Sequence, residues 1–304
     1  MSTFIVPSFA KINLSLRVLG RRETDGYHEL ETIFQIVSLR DDLIFSERSD
    51  DRVELVCDKP HVPTDESNLI HRAAVALRNR FNLRKGARIE LIKRIPVGGG
   101  LGGGSSNAAV ALMGLARLWR IESSFDELVE TGAKLGADVP FFFTGGTALG
   151  TGTGIEITPL EDVEEQHLLI ITPDEKVSTA DAYRALRAPF LTKPEGVAML
   201  PSSRAGSLNM SLEDVLHNDF EPVTFSLHPQ FELAKRELVR HGARGALLSG
   251  SGASVFGIFD NGESQRRAHD VLKRRGSWQS FVCTTLKRAA YLEALGVCRS
   301  FSQS

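Results

Sequence analysis

The sequence predicts an α+β protein of two domains, and three observations carry that reading. Stretches with the two-residue period of a half-buried strand are interspersed with apolar, helix-forming stretches, so neither class dominates. A glycine-rich loop joins a one-sided strand directly to a buried helix. A polar, acidic stretch from Thr158 to Gln166 then breaks the pattern and divides the chain into residues 1–160 and 161–304. With 304 residues, each part is long enough to enclose its own core.

Taken in order, residues 9–18 alternate strictly, with Ile12, Leu14, Leu16 and Val18 facing one way and Lys11, Asn13, Ser15 and Arg17 the other. By spacing alone this is a surface strand with a solvated polar side. A polar turn over residues 20–26 leads to Tyr27 and His28, which open a second strand through Phe34. A ring beside an imidazole at a strand entrance stacks on a nucleobase and bonds its edge, or is simply a half-buried Tyr next to an exposed His. Ile44–Ser46 and Val53–Cys57 have the look of a hairpin of short strands. Residues 67–81 predict an amphipathic helix with Leu69, Ala73, Leu77 and Phe81 inward and Asn68 at its start.

The loop itself runs from Pro96 to Ala109 and has six glycines in the seven positions 98–104, followed by Ser105 and Ser106. Ahead of it, Arg88–Ile95 puts Ile89, Leu91 and Ile95 on one strand face; behind it, Asn107–Trp119 is helix-forming and apolar on more than one side. Glycine admits positive φ and close approach of backbone to a ligand, and a helix start presents unpaired N–H groups and a positive dipole end. An anion fits there. Gly98, Gly100 and Gly103 match the dinucleotide fingerprint in form, but the charged, one-sided strand before them is unlike the buried first strand of such a unit. A Walker A loop ends in Gly-Lys-Ser/Thr, and Gly104-Ser105-Ser106 has no lysine. A flexible linker would not run straight into an apolar helix. What remains is a lysine-free phosphate loop.

Beyond the loop, Ser124 and Glu127 form a capping box for a helix reaching Leu135 and closed by Gly136. Asp138 follows, before Pro140 and the apolar Phe141–Phe143; on its own it reads as a turn-forming aspartate as readily as a functional one. Gly145, Gly146, Gly150, Gly152 and Gly154 mark bends between edge strands. In the second part, His167–Thr172 is a buried strand and a helix beginning at Val177 carries Thr179 and Tyr183 on one face. Residues 188–211 are polar and proline-rich and read as a loop. Helix 229–241, strands 245–248 and 254–259, helix 263–274 and strand 281–284 complete an α+β layer, with a glycine turn from Ser249 to Ser254 between the two middle strands.

Composition narrows the function. A net charge of −2 with interspersed signs gives no basic face, which argues against nucleic acid as a partner. Cys57, Cys283 and Cys298 are odd in number and far apart, and read as reduced thiols of a cytoplasmic protein. Pro7 and Lys11 interrupt the apolar N-terminal stretch, so no signal peptide is expected, and no run approaches the ~18 apolar residues that would span a membrane.

Four separated motifs, in order, give the chain a family resemblance: Ala10–Leu14, Gly26–Leu30, Pro96–Ala109 and Gly136–Phe141. They resemble the GHMP kinases, whose loop reads roughly Pro-x-x-x-Gly-Leu-Gly-Ser-Ser; Pro96, Gly100, Leu101, Gly102 and the Ser105–Ser106 pair supply it, with extra glycine before the serines. The expanded loop and the Gly26–Leu30 run are similar to the branch acting on a cytidyl diphosphate alcohol. This resemblance implies two α+β domains with the active site in the cleft, the second domain ferredoxin-like. It implies transfer of a phosphoryl group from ATP, with Mg²⁺, to a small-molecule cytidyl diphosphate substrate. Asp138 becomes the catalytic base and Lys11 its partner, with Asn13 beside them. Pro96, Val97, Gly98, Gly99, Gly100, Leu101, Gly102, Gly103, Gly104, Ser105 and Ser106 become the ATP-binding loop, with Ser105 or Ser106 on the metal and Asn68 and Lys93 near the adenine. Tyr27 stacks on cytosine, His28 bonds to it, Thr179 and Tyr183 line the cytidine pocket, and the Ser249–Ser254 turn borders the phosphate site.

Overall fold

The computed structural model describes residues 3–175, 177–186 and 212–296; the loop expected at 188–211 and Cys298 lie outside the described residues. The first layer consists of β1 (Thr3–Arg21), β2 (His28–Arg48), β3 (Val53–Cys57), α1 (Leu69–Arg80), β4 (Gly86–Ile92), α2 (Gly103–Trp119), α3 (Phe125–Ala133), α4 (Phe141–Thr144), β5 (Thr147–Thr151) and β6 (Glu156–Pro159). The chain continues with β7 (His167–Pro173), α5 (Thr179–Leu186), α6 (Leu212–Val215), β8 (His217–Asn218), α7 (Glu221–Leu227), α8 (Pro229–Arg240), β9 (Gly245–Ser249), β10 (Ser254–Phe259), α9 (Gly262–Leu272), β11 (Trp278–Thr284) and α10 (Arg288–Ala294), which form a second layer except for β8 and α10, which join the first.

The first sheet is built on the long β1–β2 ribbon and has the order β3-β4-β2-β1-β8, with β5 on β2 and β6 on β5. The second has the order β11-β7-β10-β9 with every described pairing antiparallel. Omitting the insertion from α5 to α7, its chain order is β7-α8-β9-β10-α9-β11, the ferredoxin-like arrangement that was expected. Alternation along β7 divides its side chains between two cores. Leu169 and Ile171 pack under Phe231 and Leu238 of α8 and Leu272 of α9, whereas Leu168 and Ile170 pack against Ile12, Leu14 and Ile33 of the ribbon. The two layers therefore share an apolar interface, and the cleft lies along its edge.

Several expectations are corrected. Val53–Cys57 is not a hairpin partner of residues 44–46: β2 runs on to Arg48, and β4 lies between, antiparallel to β2 and parallel to β3. The chain turns back over the start of β4, which is inserted between the two arms. Arg48 and Arg52 both bond Asp50 in that crossing, and a Cβ on Gly86 would lie 2.1 Å from the Asp50 carbonyl oxygen. In β1 the pairing register slips by one between Asn13 and Ser15, which leaves Leu14 unpaired. A one-residue slip exchanges the faces of a strand, so Leu16 joins Lys11 and Asn13 on the cleft side instead of following Ile12 and Leu14. Nor is the polar side of β1 solvated, since Lys11, Asn13 and Ser15 are all buried.

Helix boundaries moved for local reasons. The helix expected from Asn107 already begins at Gly103, inside the glycine run. α3 ends at Ala133 because the N–H groups of Leu135 and Gly136 both return to the Gly132 carbonyl. In α1 the fully buried positions are Ile70, Ala73, Ala74 and Leu77, with Leu69 and Phe81 partly exposed at its ends. The sequence reading had no β8, α6, α7 or α10. The last of these sends Tyr291 and Leu295 into the core of the first layer, where the Tyr291 hydroxyl donates to the Phe142 carbonyl at 2.5 Å.

Candidate active site

The glycine loop is built from alternating backbone hands. Gly98, Gly100 and Gly102 have φ of 73°, 72° and 66°, separated by residues in ordinary conformations, which turns successive N–H groups toward one concavity. The Lys11 N–H bonds the Leu101 carbonyl at 3.0 Å, hanging the loop on β1 where its register first slips. α2 then starts with Gly102 as N-cap and no side-chain cap, so its first N–H groups are directed at the same concavity.

From the second layer, the turn between β9 and β10 presses on this loop. Ser249 Oγ donates to the Gly100 carbonyl at 3.0 Å, and a Cβ on Gly100 would lie 2.2 Å from the Ser249 carbonyl oxygen. Asn218 fixes that turn from beneath. Its Nδ2 donates to the carbonyls of Leu248 and Gly250, both at 2.8 Å, and its Oδ1 accepts from Phe220 N–H at 2.9 Å.

Beside the loop, four polar side chains form one oriented series. Lys11 is 3% exposed; its ammonium lies 3.3 Å from Asp138 Oδ2 and donates to Asn13 Oδ1 at 2.7 Å. Asn13 Nδ2 donates to Thr32 Oγ1 at 2.8 Å, and Thr32 donates to the Ser15 carbonyl at 2.6 Å. Thr32 thereby fixes the asparagine amide so that its oxygen faces the lysine. Phe34 lies under the ammonium, 5.3 Å from ring centre to Nζ. Asp138, a third exposed, is the member of the series open to the cleft.

The far end of the cleft is aromatic. His28 packs on Tyr183 at a tilt of 34° with centroids 4.7 Å apart, and Tyr183 meets Phe220 edge-on at 4.8 Å. Burial, with the nearby charge of Asp138, pushes the Tyr183 phenol up to about 12, so it remains a proton donor. Burial and Arg21 lower the pKa of His28, which keeps its imidazole neutral near pH 7, with one nitrogen donating and one accepting. Thr179 receives a hydrogen bond from Ser251 at 3.1 Å. Tyr27 is not packed with these rings. It stands 64% exposed at the mouth of the β1–β2 ribbon, its N–H on the Asp25 carboxylate.

Comparisons with known proteins bear on this arrangement. Residues 68–146 match the model for the GHMP kinases N terminal domain, and residues 202–277 that for the GHMP kinases C terminal. Curated proteins from Bacillus cereus and Bacillus anthracis, each named 4-diphosphocytidyl-2-C-methyl-D-erythritol kinase, are 40% identical over 269 residues, which is 88% of this chain and 92% of theirs. The chain belongs to the GHMP kinases. A crystal structure of 4-(cytidine 5'-diphospho)-2C-methyl-D-erythritol kinase superposes with a TM-score of 0.76 at 34% identity, covering 93% of this chain and 99% of that one. A homoserine kinase from Cytophaga hutchinsonii shares the fold at 20% identity, with a TM-score of 0.66 and coverage of 93% and 95%.

Within this GHMP kinase, the residues singled out from sequence fall into three groups. Lys11, Asn13, Asp138, Thr179 and Tyr183 line one cleft with Gly100 and Gly102. Asn68 and Lys93 have other engagements. Asn68 is the N-cap of α1, accepting from Ile70 N–H and donating to the Pro63 carbonyl, and the Lys93 ammonium is buried on Asp41 at 2.5 Å. The two serines are not equivalent. Ser106 is fully buried and shares a hydrogen bond with Ser8 at 2.7 Å, whereas Ser105 is partly exposed. Sequence reasoning missed Thr32, Asp41, Asn218 and Phe220. In sequence Asp41 is one of an adjacent pair, Asp41-Asp42 after Arg40, and nothing in that polar run distinguishes it.

Proposed function

We propose that the protein transfers the terminal phosphoryl group of ATP to the 2-hydroxyl of 4-diphosphocytidyl-2-C-methyl-D-erythritol, in the cytoplasm, with the cleft between domains 1–160 and 161–304 as the active site. One observation carries the reading: the Lys11–Asp138 pair lies between an anion-binding loop and an aromatic pocket. The names of the curated relatives, at 40% identity over most of both chains, support the choice of acceptor.

Phosphoryl transfer asks mainly for alignment and charge stabilisation. The N–H groups of the loop and of the first turn of α2 hold the phosphates. Asp138 accepts the hydroxyl proton, while the Lys11 ammonium, 3.3 Å from the carboxylate, steadies the acceptor oxygen. His28 and Tyr183 offer a face and an edge to the cytosine. The partly exposed Ser105, in the first turn of α2, would be the protein's contact to Mg²⁺ bound with the nucleotide. When bound, Mg²⁺ supplies positive charge to the phosphoryl oxygens.

The test is ADP release with the cytidyl substrate, mevalonate and homoserine supplied in turn. Turnover with the first alone is expected, and turnover with either of the others instead would overturn the assignment. Tyr27 bears on the same point. The exposed ring becomes a stacking surface only when a base lies on it, so Tyr27→Ala should raise the acceptor KM by roughly 5- to 150-fold, the equivalent of 1 to 3 kcal/mol per stacked base. Tyr27→Phe should behave like the unsubstituted protein, and the ATP KM should not change in either. An unchanged acceptor KM in Tyr27→Ala would leave base recognition to His28 and Tyr183.

A further inference from the structure

We infer that Asp41, a residue outside the cleft, is a positioning residue that closes the base of the phosphate loop and prepares it for ATP. The inference rests on the proposed use of ATP by this loop. Asp41 sits on β2 opposite Ser8 of β1 and is fully buried. A buried carboxylate is costly unless every acceptor site is met by a donor. Here four donors meet it. Oδ1 accepts from the backbone N–H groups of Arg94 and Ile95 at 2.7 and 2.8 Å. Oδ2 accepts from Lys93 Nζ at 2.5 Å and from Asn107 Nδ2 at 2.9 Å.

The positions of those donors give the carboxylate its meaning. Ile95 directly precedes Pro96, and Asn107, in α2, directly follows the Ser105–Ser106 pair. Asn107 Nδ2 also donates to Ser8 Oγ at 2.8 Å, and Ser8 shares a hydrogen bond with Ser106. Both ends of the glycine run are therefore tied to a single side chain. The glycines between them have almost no conformational preference of their own, so the concave arrangement of N–H groups must be imposed from outside. Gathering the two ends does this before any ligand arrives, and the cost of ordering the loop is then not taken from the binding energy. Lys93 contributes from below, since its ammonium would lie 3.0 Å from a Cβ on Gly103, against the first turn of α2.

An amide cannot replace this carboxylate, because its NH₂ would confront donors from Lys93 and Asn107 or from the backbone. In the full-length protein Asp41→Asn should weaken ATP binding by about ten- to a hundredfold, the range for lost hydrogen bonds to a charged group, while acceptor binding measured without ATP stays within about twofold. Hydrogen exchange should quicken at the loop amides and not in the second sheet. Asp41→Asn/Lys93→Met, which removes the stranded ammonium, should recover stability but not ATP affinity. Where Asp41→Asn does not fold, Asn107→Ala removes one donor and leaves the carboxylate paired, and a loss of ATP affinity of about three- to tenfold is expected. A folded Asp41→Asn with ATP affinity within about twofold of the unsubstituted protein overturns the inference, as does an equal loss of acceptor and ATP binding or an Asn107→Ala without effect. Failure of the unsubstituted protein to bind ATP would instead refute the nucleotide reading, and this role with it.

Discussion

Asp138→Asn should lower kcat by roughly 10²- to 10⁴-fold, the usual contribution of a positioned general base, with ATP affinity unchanged. The amide has nearly the same shape but takes up no proton. Its neighbours remain held, because the Lys11 ammonium keeps its bond to Asn13 and Asn13 keeps its bond to Thr32. The loss should therefore lie in the chemical step and not in the shape of the cleft. Single-turnover kinetics with saturating ATP and acceptor would separate the two. A variant retaining more than about a third of kcat would take Asp138 out of the chemistry and leave it as the ion-pair partner of a buried lysine.

Gly100→Ala is expected to weaken ATP binding by at least about tenfold and to lower Tm, while Gly98→Ala should do much less. The two glycines have nearly the same φ, 72° and 73°, so the dihedral cost of about 1 to 2 kcal/mol for a non-glycine residue is common to both. Their surroundings differ. A methyl on Gly98 meets open space, whereas one on Gly100 would lie 2.2 Å from the Ser249 carbonyl oxygen and 2.7 Å from that of Gly252. Both obstacles are backbone atoms, and Asn218 fastens the turn that carries them, so the loop and the turn must separate. Calorimetric titration of both variants is the measurement, and equal affinities would mean that the contact between the layers has no part in nucleotide binding.

Much of this was legible where a local pattern determines a local outcome. Ile89 and Leu91 revealed a strand by period, Ser124 and Glu127 a helix start by mutual capping, and the glycine run a connection from strand to buried helix. Asn68 was readable as a helix start for the same reason. What escaped depends on partners distant in sequence. The slip at Leu14 is set by the pairing of β1 with β2, and the placement of β3 by a strand that comes some thirty residues later. Ser105 and Ser106 are chemically identical, and only the rotation of about 100° per residue along α2 sends one inward to Ser8 and the other toward solvent. Asp41 and Asn218 are ordinary polar residues in sequence; their importance comes from the backbone groups that tertiary structure brings to them. Resemblance supplied the proposed role of Lys11 and Asp138, which spacing alone had left open.

The placement of Tyr291 bears on the order in which the molecule can mature. Its ring occupies the space left by the missing side chain of Gly145, where a Cβ would be 2.1 Å from the ring, and its hydroxyl caps the Phe142 carbonyl of α4. Directly before α4 stands the Asp138 turn. Synthesis is vectorial, so residues 1–160 emerge from the ribosome long before the helix that fills this gap. The nascent first layer should carry an apolar socket beside Phe141 and Phe142, and the Asp138 turn should stay loosely seated until α10 arrives. Interrupted translation products would then be non-catalytic even with every proposed phosphate-loop and catalytic residue already present.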